Sequence, residues 1–351
     1  MSKLSPILTE RKIVEPIWGG TRLAAWLELP EPRPQRLGET WQVYDANTIT
    51  FGPGAGGTLA ELVRKQGEAI VGSRTMARYG ADFPLLAKFL DANDRLSIQV
   101  HPDDEYAHTR EAHTGFHGKT EAWYILHAEP GATVTYGLNR QSSRDEFAAA
   151  VQAGSVEELM GQLPVAAGDV VFVPAGTLHA INAGIVLFEI QQKSDLTYRV
   201  YDYGRLDAKT GKPRELHLER SLDVSQFAPA PHGKVTPLAL APGRDLLIAC
   251  PYFALERLSL DGPFASATDP GSFEIVTPID GAAELSWDGG SLALARGVSA
   301  VLPAALGRWS LAPAGGRATA LRVYVPDLAA LAAEARAAGH SEARVAEVVR
   351  G

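Results

Sequence analysis

The chain has 351 residues, with 33 Lys and Arg against 41 Asp and Glu and a formal net charge of −8. At roughly 100–200 residues per domain, this length suggests two or three domains, and 46% hydrophobic with 21% charged residues excludes a largely disordered chain. An acidic chain without basic blocks is poorly suited to a nucleic-acid backbone or an anionic membrane. The start, MSKLSPILTERKIVEPIWGG, has no signal-like apolar stretch, and no run of 18 apolar residues occurs. The expectation is a cytoplasmic protein. Cys250 is the one cysteine and sits in an apolar run, which reads as a buried small residue.

In chain order, the first helical spacing falls at Thr58–Arg74. Alternating or apolar stretches then predict strands at Leu96–Val100 and Ala122–His127. A second helical stretch, Ser142–Leu163, opens with Ser-Ser-Arg-Asp-Glu. Strands follow at Val170–Val173, Ile185–Gln191, Phe253–Leu260, Ser272–Thr277 and Ala320–Val325. The proline-rich segment Phe227–Pro237 places a domain boundary near 225. The Ala-rich end, Asp327–Arg350, predicts one or two helices broken near Gly339-His340. Many short, closely spaced strands indicate antiparallel sandwich or barrel domains. Such folds host many chemistries, so the activity has to be sought in particular residues.

Three stretches carry chemistry. In Leu96–His101, apolar Leu96, Ile98 and Val100 alternate with Ser97, Gln99 and His101. Gln99 and His101 therefore share one face, where they either meet a common metal or remain solvated. In Gly118-Lys119-Thr120-Glu121, a cation and a carboxylate lead into the aromatic strand Ala122–His127. Buried, Glu121 requires Lys119, a metal or water as partner. In Gly168–His179, a hydrophobic strand enters the turn Pro174-Ala175-Gly176, and His179 follows three residues later.

The third spacing, G-x5-P-x-G-x2-H, resembles the second metal motif of cupins. That pattern continues H-x3-N, whereas Asn182 here comes one residue early. Gln99 stands where most cupins have a histidine, and 19 residues separate His101 from Glu121. Both departures match the type I mannose-6-phosphate isomerases, which the chain resembles over about residues 10–220. The stretches that carry this are Pro16–Gly20, Gly38–Trp41, Pro84–Leu90, Leu96–Ala107 (LSIQVHPDDEYA) and Gln192–Tyr203. The likeness is nearest to the short bacterial members.

The resemblance implies a mainly β fold: a cupin jelly-roll barrel with helical insertions, a second, degenerate cupin-like β domain and a C-terminal helix. The expected limits are 1–225 for the catalytic cupin, with insertions at about 55–80 and 141–163, then 226–326, then 327–351. It further implies that Gln99, His101, Glu121 and His179 bind one Zn²⁺, and that Lys119, Asp195 and Arg199 are the catalytic residues at the sugar. On its own chemistry, Arg199 is either an anion-binding fork or a partner of Asp195 or Asp202. The implied reaction interconverts mannose 6-phosphate and fructose 6-phosphate through a cis-enediol, in a monomer or homodimer. Alternatives are a related cupin isomerase or epimerase of other sugar phosphates, a non-catalytic sugar-binding cupin, and an iron-dependent cupin oxygenase.

The remaining polar residues read as local structure. His108, His113 and His117 fall in a charged loop, with His113 and His117 at i, i+4. Asp103, Asp104 and Glu105 suit a helix or turn cap. His127 lies too far along its strand from Glu121 to share an ion. Trp18 and Trp41 suit core positions, His232 and His340 are isolated, and Glu256-Arg257 reads as a solvated pair.

Overall fold

A computed structural model describes residues 4–207, 210–230 and 233–351. His232 lies outside the described residues. The chain forms two compact units, each discontinuous in sequence: Met1–Lys12, Trp41–Ala87 and Val235–Gly351 in the first, Ile13–Thr40 and Lys88–Lys234 in the second. The insertion at 55–80 belongs to the first unit and that at 141–163 to the second.

The second unit is built around a sandwich of antiparallel strands. One sheet includes, side by side, Val170–Val173, Glu121–Ala128, Ile185–Gln192 and the part of Leu85–Ala92 from Lys88 onward. The other runs Tyr198–Tyr201, Ile98–Val100, His179–Ile181, Thr133–Leu138, Met160–Pro164. Trp18, Leu90, Trp123, Ile125, Val134, Val171 and Leu187 form one buried cluster of this unit. Fully burying each such aliphatic or aromatic side chain contributes about 1.5–3 kcal/mol. A second cluster, including Ile98, Val100, Leu138, Phe147, Val151, Tyr198 and Leu222, brings in residues of the helices Arg144–Ala153 and Leu218–Val224.

Register places the polar face of the Ile98–Val100 strand in line with its neighbours. Gln99 lies opposite Arg199 on one side and His179 on the other, and His179 lies opposite Tyr136. Directly paired residues of adjacent strands project from the same face, so these four form one row. In the other sheet Glu121 pairs with Gln191, and Trp123 pairs with Glu189.

Helix ends follow their local chemistry, and glycines cut two predicted helices short. Thr58 caps Leu59–Gln66 in a reciprocal capping box with Glu61. Gly67 and Gly72, both at positive φ, divide the remainder into Glu68–Val71 and Ser73–Tyr79. Ser143 caps Arg144–Ala153, which ends at Gly154 in the left-handed region. The rest of the predicted helix is a short 3₁₀ turn, Val156–Leu159, and the strand Met160–Pro164. Asp103 caps Asp104–Arg110 by accepting a 2.8 Å hydrogen bond from Tyr106 N.

The first unit contains an eight-stranded and a four-stranded antiparallel sheet, with a core that includes Leu258, Val276, Leu285, Leu294, Trp309 and Leu311. Its strands Ala254–Leu260, Glu274–Asp280 and Ala318–Tyr324 match the predicted ones within two or three residues at each end. The terminal helices are Leu328–Ala337 and Glu342–Val348, capped by Asp327 and Ser341 and separated at Gly339-His340. The expected solvated pair Glu256-Arg257 is corrected. Glu256 shares strand parity with buried Leu258 and is itself fully buried. Its carboxylate accepts from Arg244 Nη2 at 2.7 Å, Tyr324 Oη at 2.7 Å and Arg322 Nη1 at 3.3 Å. Cys250 is buried as expected, and burial pushes its thiol up to about 11.

Candidate metal centre

Strand register and the Pro174–Gly176 turn bring His101, Glu121 and His179 together, each no more than 1% exposed. His179 Nε2 lies 3.3 Å from Glu121 Oε1, and His101 Nε2 lies 3.5 Å from Glu121 Oε2. Gln99 Nε2 is 3.3 Å from His179 Nε2. The opposite ring nitrogens are tied down by backbone: His101 Nδ1 bonds Leu196 O at 2.9 Å, and His179 Nδ1 bonds Thr177 O at 2.8 Å. A carbonyl only accepts, so each Nδ1 carries the proton and each Nε2 turns an accepting lone pair toward the cluster.

Two imidazole lone pairs and a carboxylate facing one another, sealed from water, need a cation among them; here the Lys119 ammonium stands there, and a metal ion would fill the same need. Backbone bonds of this kind are the usual outer support of histidine metal ligands. Two imidazoles, a carboxylate and an amide thus suit a zinc-like divalent ion, with Gln99 turning its amide oxygen inward. Burial, then the nearby Lys119 charge, pushes the His101 imidazolium well below its usual range. Burial likewise lowers His179. Both rings are held neutral, the form a metal requires. Burial alone would raise the Glu121 carboxyl, but the Lys119 ammonium beside it outweighs that and holds it below normal.

Lys119 sits inside this cluster. Its Nζ donates to Glu121 Oε2 at 2.5 Å and lies 2.9 Å from His101 Nε2. Behind it is a set of buried charges that sequence reasoning did not assign. Lys88 Nζ lies 3.2 Å from Glu189 Oε1 and 3.4 Å from Glu39 Oε2, and Lys119 Nζ is 3.9 Å from the same Glu189 oxygen. Burial and then repulsion from Glu121 raise the Glu189 carboxyl to about 7. The signal was present: Leu85–Ala92 and Ile185–Gln192 are buried throughout, yet carry Lys88, Asp91 and Glu189.

Arg199 is half-buried and donates from Nη1 to Glu215 O at 2.9 Å. It does not pair with Asp202, which instead binds Arg205 at 2.6 Å and Arg214 at 2.5 Å. Burial and then the Arg214 charge lower the Arg199 guanidinium. Asp195 is exposed, next to Leu196, whose carbonyl holds His101. Two buried polar atoms of this neighbourhood, Gln191 Oε1 and Arg199 Nε, lack a hydrogen-bond partner. Asn182 bonds Thr133, Thr135 and Gln162 at the sheet surface. His113 and His117, though spaced i, i+4, are not brought together. His108 meets His117 instead, and His113 is 74% exposed beside Glu111.

An antiparallel sandwich that holds a Gln-His-Glu-His set on facing strands defines a cupin with a candidate metal centre. Residues 8–121 match the family model described as phosphomannose isomerase type I, catalytic domain, and residues 244–325 match that of the mannose-6-phosphate isomerase cupin domain. The mannose-6-phosphate isomerase ManA of Bacillus subtilis is 36% identical over 317 residues, covering 87% of this chain and 95% of its own. That of Streptococcus mutans is 34% identical over 310 residues, covering 87% and 94%. The crystal structure of the mannose 6-phosphate isomerase from B. subtilis superposes with a TM-score of 0.81 at 33% identity, over 91% of this chain and 99% of that one. The chain belongs to the type I phosphomannose isomerases, a family of isomerase enzymes.

Proposed function

We propose that the protein is a zinc-dependent mannose-6-phosphate isomerase that interconverts mannose 6-phosphate and fructose 6-phosphate through a cis-enediol. The observation that carries this reading is the convergence of two accepting Nε2 atoms and the Glu121 carboxylate beside Lys119, in a chain of this family. Gln99, His101, Glu121 and His179 would hold one zinc per chain. When bound, zinc supplies Lewis acidity that polarises sugar oxygens and a template that orients them.

The chain's own groups supply the rest. Lys119 Nζ stands among the ligands, where it can donate to or take a proton from a sugar oxygen or carbon. Glu189, poised near neutrality 3.9 Å from that nitrogen, is a buried proton acceptor for it. Arg199 offers a guanidinium with a free Nε to charge developing on the enediolate or to the phosphate. Asp195, exposed at the start of the segment leading to Arg199, is assigned to contact the sugar hydroxyls. The test is turnover of mannose 6-phosphate, with metal content measured on the same sample. Chelation should abolish turnover, zinc should restore it, and Glu121→Ala should remove the ion of the buried centre together with activity. Normal turnover by Glu121→Ala would refute the site, and faster turnover of another sugar phosphate or of mannose would refute the substrate.

A further inference from the structure

Asp104, His108 and His117 bring a second set of ligand atoms within 4.8 Å of one another, with no residue in common with the buried centre. Asp104 and His108 share the first turns of the helix Asp104–Arg110 at i, i+4, so their side chains lie on one helix face. His117 comes from the segment that returns to Lys119. His108 Nε2 and His117 Nδ1 face each other at 3.0 Å, with the rings nearly perpendicular. Two nitrogens bound to one tetrahedral zinc at about 2.0–2.1 Å are separated by roughly 3.3 Å, so only a small opening would admit the ion.

The third ligand is already oriented. Asp104 Oδ1 accepts from Gly118 N and from Gln192 Nε2, each at 2.9 Å. Hydrogen bonds to a ligating carboxylate are the outer support that metal sites use. Gly118 is itself forced by the fold: a Cβ there would fall 2.4 Å from Asp103 C and 2.5 Å from Asp104 N. The return segment therefore passes against the start of the helix, and His117 is delivered beside it. The cluster differs from the buried centre in exposure, since His108 is exposed while Asp104 and His117 are half-buried.

We propose that Asp104, His108 and His117 form a second, surface-accessible site for a divalent transition-metal ion. Imidazole and carboxylate donors select zinc, nickel or copper over magnesium or calcium. Three protein ligands leave one position to water. Occupancy fastens the 115–118 segment to the helix, immediately before Lys119, so this ion braces the approach to the catalytic lysine without entering the centre.

Equilibrium dialysis of chelator-stripped protein against Zn²⁺ tests this. Wild type should take up two equivalents, and His108→Ala and His117→Ala one each. Glu121→Gln, which disables the buried centre alone, should still bind one. Loss of either histidine should weaken the second equivalent at least about tenfold, the scale that loss of even an outer partner produces. His108 is exposed on a helix, where alanine is well tolerated, so that variant retains the fold. A single equivalent in wild type, two equivalents in both histidine variants, or none in Glu121→Gln would overturn the proposal.

Discussion

Arg199 stands directly opposite Gln99 across the antiparallel pair formed by Tyr198–Tyr201 and Ile98–Val100. A candidate metal ligand and a guanidinium thus leave the sheet from the same face, one strand apart. Arg199→Ala should lower kcat about 10²–10³-fold, the scale for removing a preorganised donor to developing negative charge. Metal content should stay unchanged. Arg199→Lys should recover little, because an ammonium lacks the planar fork. Atomic absorption beside steady-state kinetics decides this, and loss of metal in Arg199→Ala would make the residue a structural support instead.

The raised Glu189 carboxyl predicts a proton linkage. In metal-free protein it titrates at about 7, so at pH 6.5 it holds a proton for much of the time. Burial is the main cause of that elevation and repulsion from Glu121 the next, and a divalent ion bound to Glu121 would cancel the repulsion and favour release of the proton. His101 and His179 are already neutral at that pH and add none. Calorimetric zinc titration at pH 6.5, in buffers of different ionisation enthalpy, should show proton release. Glu189→Gln should reduce it, and an unaltered release would place the proton elsewhere.

Gly118→Ala should destabilise the protein by about 1–3 kcal/mol, the range for overpacking a tight contact. The added methyl meets backbone of Asp103 and Asp104, which cannot swing away as a side chain would. The displacement should also reach Lys119, the next residue, and lower kcat. Denaturant unfolding and kinetics on the same preparation check both effects, and wild-type stability would show that the segment yields freely.

Glu256 offers a pH test remote in sequence from the centre. Burial would raise its carboxyl, but Arg244 and Arg322 overcome that and depress it. A depressed folded value contributes stability that is fully present above the unfolded value of about 4.3 and disappears as pH falls through the folded value. Glu256→Gln should therefore be clearly less stable than wild type at pH 7, and the gap should narrow below about pH 4. Thermal unfolding across pH 3–7 measures it, and a gap independent of pH would assign the loss to packing.

Much of the centre was readable because its geometry is local. Gln99 and His101 follow from strand alternation, and His179 from a turn whose glycine has positive φ. Motif likeness added Lys119, Arg199 and the pairing of two distant segments. Sheet order and register were not readable, since they depend on contacts across long stretches of chain. Glu189 and Lys88 were missed because a charge inside an apolar strand has meaning only once its partner on another strand is known. The same blindness applied to Glu256, whose three partners come from two other strands. The approach of His108 to His117 was not foreseen for a related reason: the segment reads as a charged loop, and the contact depends on how that loop folds back on the helix Asp104–Arg110.

The strand Ile7–Thr9 lies between Ile49–Phe51 and Ala300–Leu302 in the eight-stranded sheet. One neighbour leaves the ribosome soon after it, whereas the other, Ala300–Leu302, emerges far later. The second unit, ending at Lys234, can complete its sheets while that early strand still has one edge open. Contacts this remote in sequence close slowly, and an open edge is a site for pairing with other chains. The order of synthesis thus makes the strand Ile7–Thr9 a late-closing seam, open along one edge until Ala300–Leu302 has been made.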